Sequence, residues 1–112
     1  MRLQATRRSR TASDNGIEEL ERKAAEAASL LKLLANENRL LILCRLVVAG
    51  EMSVGALADA VDLSQSALSQ HLAKMREDGL VATRREAQTV FYHIADPNAA
   101  RLLALLKNIY CP

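Results

Sequence analysis

Tryptophan is missing from this sequence, and Phe91, Tyr92 and Tyr110 are its only aromatic residues. A protein that grips single-stranded nucleic acid needs exposed rings on which bases stack, and three aromatics are too few for such a platform. Long apolar runs are missing too. The greasiest stretch, Leu40–Leu43 continued by Leu46–Ala49, is interrupted by Arg45. It falls well short of the roughly 18 apolar residues a membrane-spanning helix requires. The first residues contain no apolar export segment. No membrane partner is expected, and the cytoplasm is the expected compartment. Cysteine is scarce, with Cys44 and Cys111 alone. In a reducing compartment a permanent disulfide is not expected, so the pair is either inert or redox-responsive. There is no Gly-rich phosphate loop, no nucleophile elbow and no paired acid–base set. Neither an enzyme nor a bound cofactor is expected.

Half of the 112 residues are apolar, which is enough for a core. A single domain of this size still exposes much of its surface, and pairing with a second copy would cover more of it. The net charge of +2 names no partner by itself. Its distribution is more informative: Arg2, Arg7, Arg8 and Arg10 stand against Asp14 alone in residues 1–16. These residues read as a flexible basic arm ahead of a folded domain over 17–112.

The domain opens with helical periodicity. Ile17, Leu20, Ala24, Ala27, Leu31 and Leu34 recur at three- and four-residue steps and make one apolar stripe. After a break at Asn36-Glu37-Asn38, residues 39–49 read as a second helix closed by Gly50. Ser53 is a candidate N-cap for a short third helix over 54–60. The tight connection Val61-Asp62-Leu63 leads to Ser64, which caps a fourth helix over 65–77. That helix carries Leu68, Leu72 and Met75 on one face, with Gln65, Ser66, Ser69, Gln70 and Lys74 largely on the others. A short helix, a three- to four-residue turn and a second helix with a polar outer face make a helix-turn-helix.

Beyond Gly79 the period changes. Residues 80–85 and 89–94 are β-prone, and Glu86-Ala87-Gln88 suits a short hairpin loop. Two strands alone are marginal in water, so this hairpin must lean on the helices as a wing. Asp96-Pro97 opens a last helix. Its Leu102, Leu103, Leu105, Leu106, Ile109 and Tyr110 cover more than one stripe, which predicts a subunit interface shared with the first helix. The expected fold is therefore mainly α with a two-stranded β wing, a winged helix-turn-helix that dimerises through its first and last helices. Such a fold sets its second helix in the major groove of duplex DNA. The candidate contacts are Gln65, Ser66, Ser69 and Gln70 to base edges, with Arg84, Arg85 and Gln88 of the wing to phosphate or the minor groove. A two-fold dimer would meet a palindromic operator.

The runs Leu33-Leu34-Ala35-Asn36-Glu37-Asn38-Arg39-Leu40, Glu51–Leu57, Leu63–Leu72 and Gly79-Leu80-Val81 resemble the ArsR/SmtB family of bacterial repressors, over about residues 17–111. The resemblance implies a dimeric winged helix that leaves DNA when it binds a metal or is modified on cysteine. Several family features are absent. Ser53-Val54-Gly55 stands where many metal sensors carry Cys-x-Cys, and soft-metal ligation there needs thiolates. The last helix lacks a His and carboxylate cluster, and Asn36-Glu37-Asn38 replaces the usual proline. No metal site is expected at either family position. His71 and His93 read as structural, since neither makes a metal site alone.

The remaining pair, Cys44 and Cys111, with the ending Lys107-Asn108-Ile109-Tyr110-Cys111-Pro112, resembles the BigR/SqrR/YgaV-like subgroup. That likeness implies a sensor of persulfides, with reactive sulfur species as inducer and Cys44 and Cys111 bridged by a disulfide or polysulfide. Read from the residues alone, Cys44 among Leu40, Leu41, Val47 and Val48 is equally a small core residue. A metal- or metalloid-responsive repressor using Cys44 and Cys111 as ligands is the alternative.

Overall fold

The computed structural model of the chain describes residues 15–111. Residues 1–14, which hold most of the expected basic arm, and Pro112 lie outside the described residues. Chain order is α1 (Asn15–Arg22), α2 (Ala24–Leu34), α3 (Glu37–Ala49), β1 (Met52–Ser53), α4 (Val54–Val61), α5 (Gln65–Glu77), β2 (Val81–Glu86), β3 (Thr89–Ile94) and α6 (Pro97–Tyr110). The described residues divide into two compact units, split between residues 32 and 33.

In the first unit the expected single helix starts at Asn15 and is split at Lys23. The split is slight. The Lys23 N–H is shared between the carbonyls of Glu19 (3.0 Å) and Leu20 (3.1 Å), and the Lys23 carbonyl accepts from Ala27 N–H at 2.9 Å. Hydrogen bonding therefore runs through the junction. Ile17, Leu20 and Leu31 of the expected apolar stripe are more than half exposed.

In the second unit each helix begins at the residue type its backbone needs. Four N–H groups at a helix start lack partners, and a short polar side chain supplies one. Asn36 accepts from Arg39 N–H at 3.1 Å, Ser53 from Ala56 N–H at 3.2 Å, and Ser64 from Ala67 N–H at 3.1 Å. Asp96 serves both Asn98 and Ala99, at 2.9 and 3.2 Å, with Pro97 behind it. Arg39 also reaches the ends of two helices. Its guanidinium donates to the Leu33 carbonyl at 2.9 Å and lies 3.8 Å from the Asp78 carboxylate at the end of α5.

The core gathers Ile42, Leu43 and Leu46 of α3, Leu57 of α4, Leu68, Leu72 and Met75 of α5, and Leu103 of α6. α3 packs against α4, α6 and β3. The end of α5 is a Schellman turn. Leu80 N–H bonds the Met75 carbonyl at 2.9 Å and Gly79 N–H bonds that of Arg76 at 3.1 Å. Gly79 has φ +81, and the buried Leu80 and Met75 supply the apolar contact that accompanies such a turn.

The wing has three strands, where two were expected, in the order β1-β3-β2. β1 pairs Met52 with Tyr92 and Ser53 with Phe91. Two residues are too few to show a strand period, which is why the sequence pattern missed it. The hairpin runs from Val81↔Ile94 to Glu86↔Thr89. That leaves Ala87 and Gln88 as a two-residue loop, one shorter than expected, with Ala87 at φ +56.

Gly79 yields a stability prediction. An added Cβ meets nothing within 4 Å, so the cost of Gly79→Ala is backbone strain alone, about 1–2 kcal/mol. Thermal unfolding followed by circular dichroism should show a Tm lower by roughly 4–10 °C.

Candidate DNA-binding face and cysteine groove

The helix-turn-helix is α4 and α5, joined by Asp62-Leu63-Ser64. Asp62 takes the left-handed conformation (φ 56°, ψ 45°), which short polar side chains tolerate. The connection between the two helices is thus made within three residues. Leu68, Leu72 and Met75 have no exposed surface. Residues 66, 69 and 70 fall away from the face these three make, Gln65 lies on its stripe one turn before Leu68 at the helix start, and Gln65, Ser66, Ser69 and Gln70 are all exposed. They surround the helix N-terminus, whose dipole favours a phosphate. Further along, Lys74 pairs with Glu77 at 3.4 Å and Asp78 at 3.7 Å.

Strand alternation separates the two wing arginines. Arg84 lies opposite Phe91, and Arg85 opposite Val90, so they project from opposite faces of the sheet. Arg84 is fully engaged. Its Nε and one terminal nitrogen donate to the two carboxylate oxygens of Glu51, at 3.2 and 2.6 Å. The other terminal nitrogen donates to Glu86 at 2.9 Å, and the guanidinium carbon sits 4.8 Å from the Phe91 ring centre. The Arg84 hydrogen bonds hold the Glu51 carboxyl below its ordinary range, and the two carboxylates push the Arg84 guanidinium higher still. Arg85 and Gln88 are exposed near the hairpin tip. Sequence reasoning treated Arg84 and Arg85 alike and missed Glu51 and Phe91. Alternation could have put the arginines on opposite faces, but nothing local points to a partner 33 positions away.

The cysteines come together. Cys44, in the middle of α3, and Cys111, at the C-cap of α6, line one cavity of about 680 Å³. Leu40, Val47, Val48, Leu103 and Leu106 make its apolar walls, and Lys107 is beside Cys111. Both thiols are free and solvent-accessible. Burial pushes the Cys44 thiol above its ordinary range, and the nearby Cys111 sulfur adds to the shift. Among the described residues, no three His, Cys, Asp or Glu side chains gather where a metal ion could be held. No helix of the described residues is long and apolar enough to cross a membrane.

Residues 36–83, from the α3 cap into β2, match the family model described as bacterial regulatory protein, arsR family. The chain is similar to the transcriptional activator HlyU of Vibrio cholerae, 53% identical over 95 residues that cover 85% of this chain and 87% of that one. The chain belongs to the ArsR family of bacterial regulatory proteins.

This ArsR-family protein is also similar to the HTH-type transcriptional regulator YgaV of Escherichia coli, 45% identical over 84% of this chain and 95% of that one. Among solved structures, reduced HlyU from Vibrio cholerae superposes with a TM-score of 0.76 at 53% identity, covering 85% of this chain and 99% of that one. The transcriptional repressor BigR from Xylella fastidiosa gives 0.76 at 42% identity, covering 85% and 96%. The winged-helix expectation therefore holds. This family member is a DNA-binding transcriptional regulator and not an enzyme.

The position of Cys44 sets its titration. Followed by alkylation rate against pH, Cys44 should ionise with a midpoint above that of the same thiol in the urea-unfolded chain, because the folded state holds its proton more tightly. Cys111→Ser removes the neighbouring charge and should lower the Cys44 midpoint part of the way back. An unchanged midpoint would remove Cys111 as a cause.

Proposed function

We propose that this chain is a homodimeric repressor that holds a palindromic operator while its cysteines are reduced and leaves it when sulfur bridges Cys44 to Cys111. The shared groove is the observation that carries this reading. Two thiols far apart in sequence lie against one cavity, close enough that Cys111 adds to the upward shift of Cys44.

The chemistry balances with an inorganic polysulfide as oxidant. One cysteine thiolate attacks a sulfane sulfur, forming a cysteine–sulfur bond and expelling hydrosulfide. The second thiolate attacks the sulfur chain now held on the protein and expels a second hydrosulfide. The two cysteine sulfurs are oxidised, the two terminal sulfurs of the polysulfide leave reduced as hydrosulfide, the internal sulfane sulfur stays in the bridge, and the two thiol protons leave with the hydrosulfide or solvent. A retained sulfur chain spans more than the 4.4–6.8 Å between Cα atoms that a direct disulfide requires. An apolar groove favours the neutral bridged sulfur chain, once formed, over its charged precursors. The alternative, a metal- or metalloid-responsive repressor, has less support, since the two thiols gain no third ligand among the described residues.

Either bridge would tie the end of α6 to the middle of α3. α3 packs on α4 and β3, so strain at the groove has a short path to the helix-turn-helix and the wing. The apolar residues left exposed on a single chain, Leu105, Ile109 and Tyr110 of α6 with Ile17 and Leu20 of α1, support a dimer through the first and last helices. Each protomer would then offer Gln65, Ser66, Ser69 and Gln70 to base edges, with Arg85 and Gln88 to the backbone or minor groove. The protein would act in the cytoplasm, with chromosomal DNA.

The test is operator binding by the reduced protein, read as fluorescence anisotropy on a duplex from its own promoter. Reduced protein should bind with an affinity that falls steeply with salt. Inorganic polysulfide should raise the Kd at least tenfold for the parent and leave Cys44→Ser and Cys111→Ser bound. Intact mass should show added sulfur on the parent. Release of both variants just as the parent is released would overturn the sensor reading. Release by zinc or arsenite with no response to polysulfide would establish the metal-responsive alternative.

A further inference from the structure

We propose that Arg84 is a positioning residue for DNA recognition: with Glu51, Glu86 and Phe91 it fixes the angle of the wing against the helix-turn-helix, and the wing's phosphate-reaching cation is Arg85.

Every nitrogen of the Arg84 guanidinium is committed. Two face Glu51 in a forked pair at 3.2 and 2.6 Å, and the third faces Glu86 at 2.9 Å. One face of the group lies over Phe91 at 4.8 Å. A forked arginine–carboxylate pair fixes orientation as well as distance, and the ring holds the guanidinium plane from a third direction.

The place of these groups in the fold gives the clamp its use. Glu51 sits between Gly50, where α3 stops, and β1, whose Ser53 caps α4. Phe91 is the common neighbour, facing Ser53 on one side and Arg84 on the other across the three strands. The clamp therefore joins β2 of the wing to the two-residue strand that leads into the first helix of the helix-turn-helix. β1 is short, and its two paired positions alone hold the wing stem weakly in register. The clamp adds a fixed point beyond them.

The same geometry removes Arg84 from the phosphate backbone. One cation between two carboxylates leaves the group with a net negative charge, which a phosphate does not attract. On the opposite face, Arg85 meets no carboxylate within ion-pair distance among the described residues.

This inference rests on the wing meeting DNA beside α5. If Arg85→Ala leaves affinity and salt dependence unchanged, that placement of the wing fails and the role of Arg84 fails with it. If Arg85→Ala acts as expected but the Arg84 results below do not appear, only the clamp fails.

The deciding experiment uses the full-length reduced protein on its operator duplex and on an unrelated duplex, at a series of salt concentrations. Arg85→Ala should flatten the slope of log K against log salt by about 0.9 per protomer on both duplexes. Arg84→Gln should weaken operator binding about tenfold, lower the ratio of operator to unrelated binding and leave the slope unchanged. The charge-swapped pair Glu51→Arg with Arg84→Glu keeps the net charge and the 51–84 ion pair but sets a carboxylate beside Glu86 and Phe91, and should regain part of the operator affinity with the parent slope. Thermal unfolding of each variant checks that it is folded at the assay temperature. A flattened slope for Arg84→Gln, with no recovery in the swapped pair, would make Arg84 a phosphate contact and overturn the proposal.

Discussion

Burial of Leu68, Leu72 and Met75 is the constraint on which the DNA-binding surface depends. These side chains have no exposed surface, and burying each removes apolar area worth about 1.5–3 kcal/mol. An α-helix has one rotational setting that satisfies all three. With that setting fixed, Ser66, Ser69 and Gln70 turn away from the core, and Gln65 is exposed at the helix start. The polar face is thus enforced by the apolar one, and the Schellman turn at Gly79 carries the same constraint into the wing by placing Leu80 in the core next to Met75.

A second constraint links the cysteine groove to this surface. α3 supplies Ile42, Leu43 and Leu46 to the core and Cys44 to the groove. One helix therefore faces both the proposed sensor and the elements that read DNA. Cys44 is held where ionisation is disfavoured, which slows its attack on small oxidants. Tyr110 of α6 is exposed and also lines the groove, so the proposed subunit interface and the proposed sensor share an element.

Much of this was legible in the chain itself. The α5 boundaries were readable because Ser64 caps, Gly79 stops, and three apolar residues at helical spacing lie between them. Strand β3 was readable because Thr89–Ile94 is rich in aromatic and β-branched residues. Strand β1 was not, since two residues have no period and pair only through Phe91 and Tyr92, nearly forty positions on. The break at Lys23 leaves no sequence mark, because lysine neither caps nor breaks a helix. Within the site, the exposed polar residues of α5 followed from the apolar pattern. The Arg84 clamp did not follow, because its main partner Glu51 is brought to it by the β1–β3–β2 order. The meeting of Cys44 with Cys111 came from family resemblance, and it is the packing of α6 on α3 that gives it a physical basis.

The outward setting of α5 is tested most directly by chemical probing of guanine N7 positions, which lie in the major groove, on the operator bound by reduced protein. The account predicts two protected patches on one face of the duplex, about 34–36 Å apart, each lost when Gln65, Ser66, Ser69 and Gln70 are replaced together by alanine. Operator binding with no protection of guanine N7, or major-groove protection that survives those replacements, would contradict it.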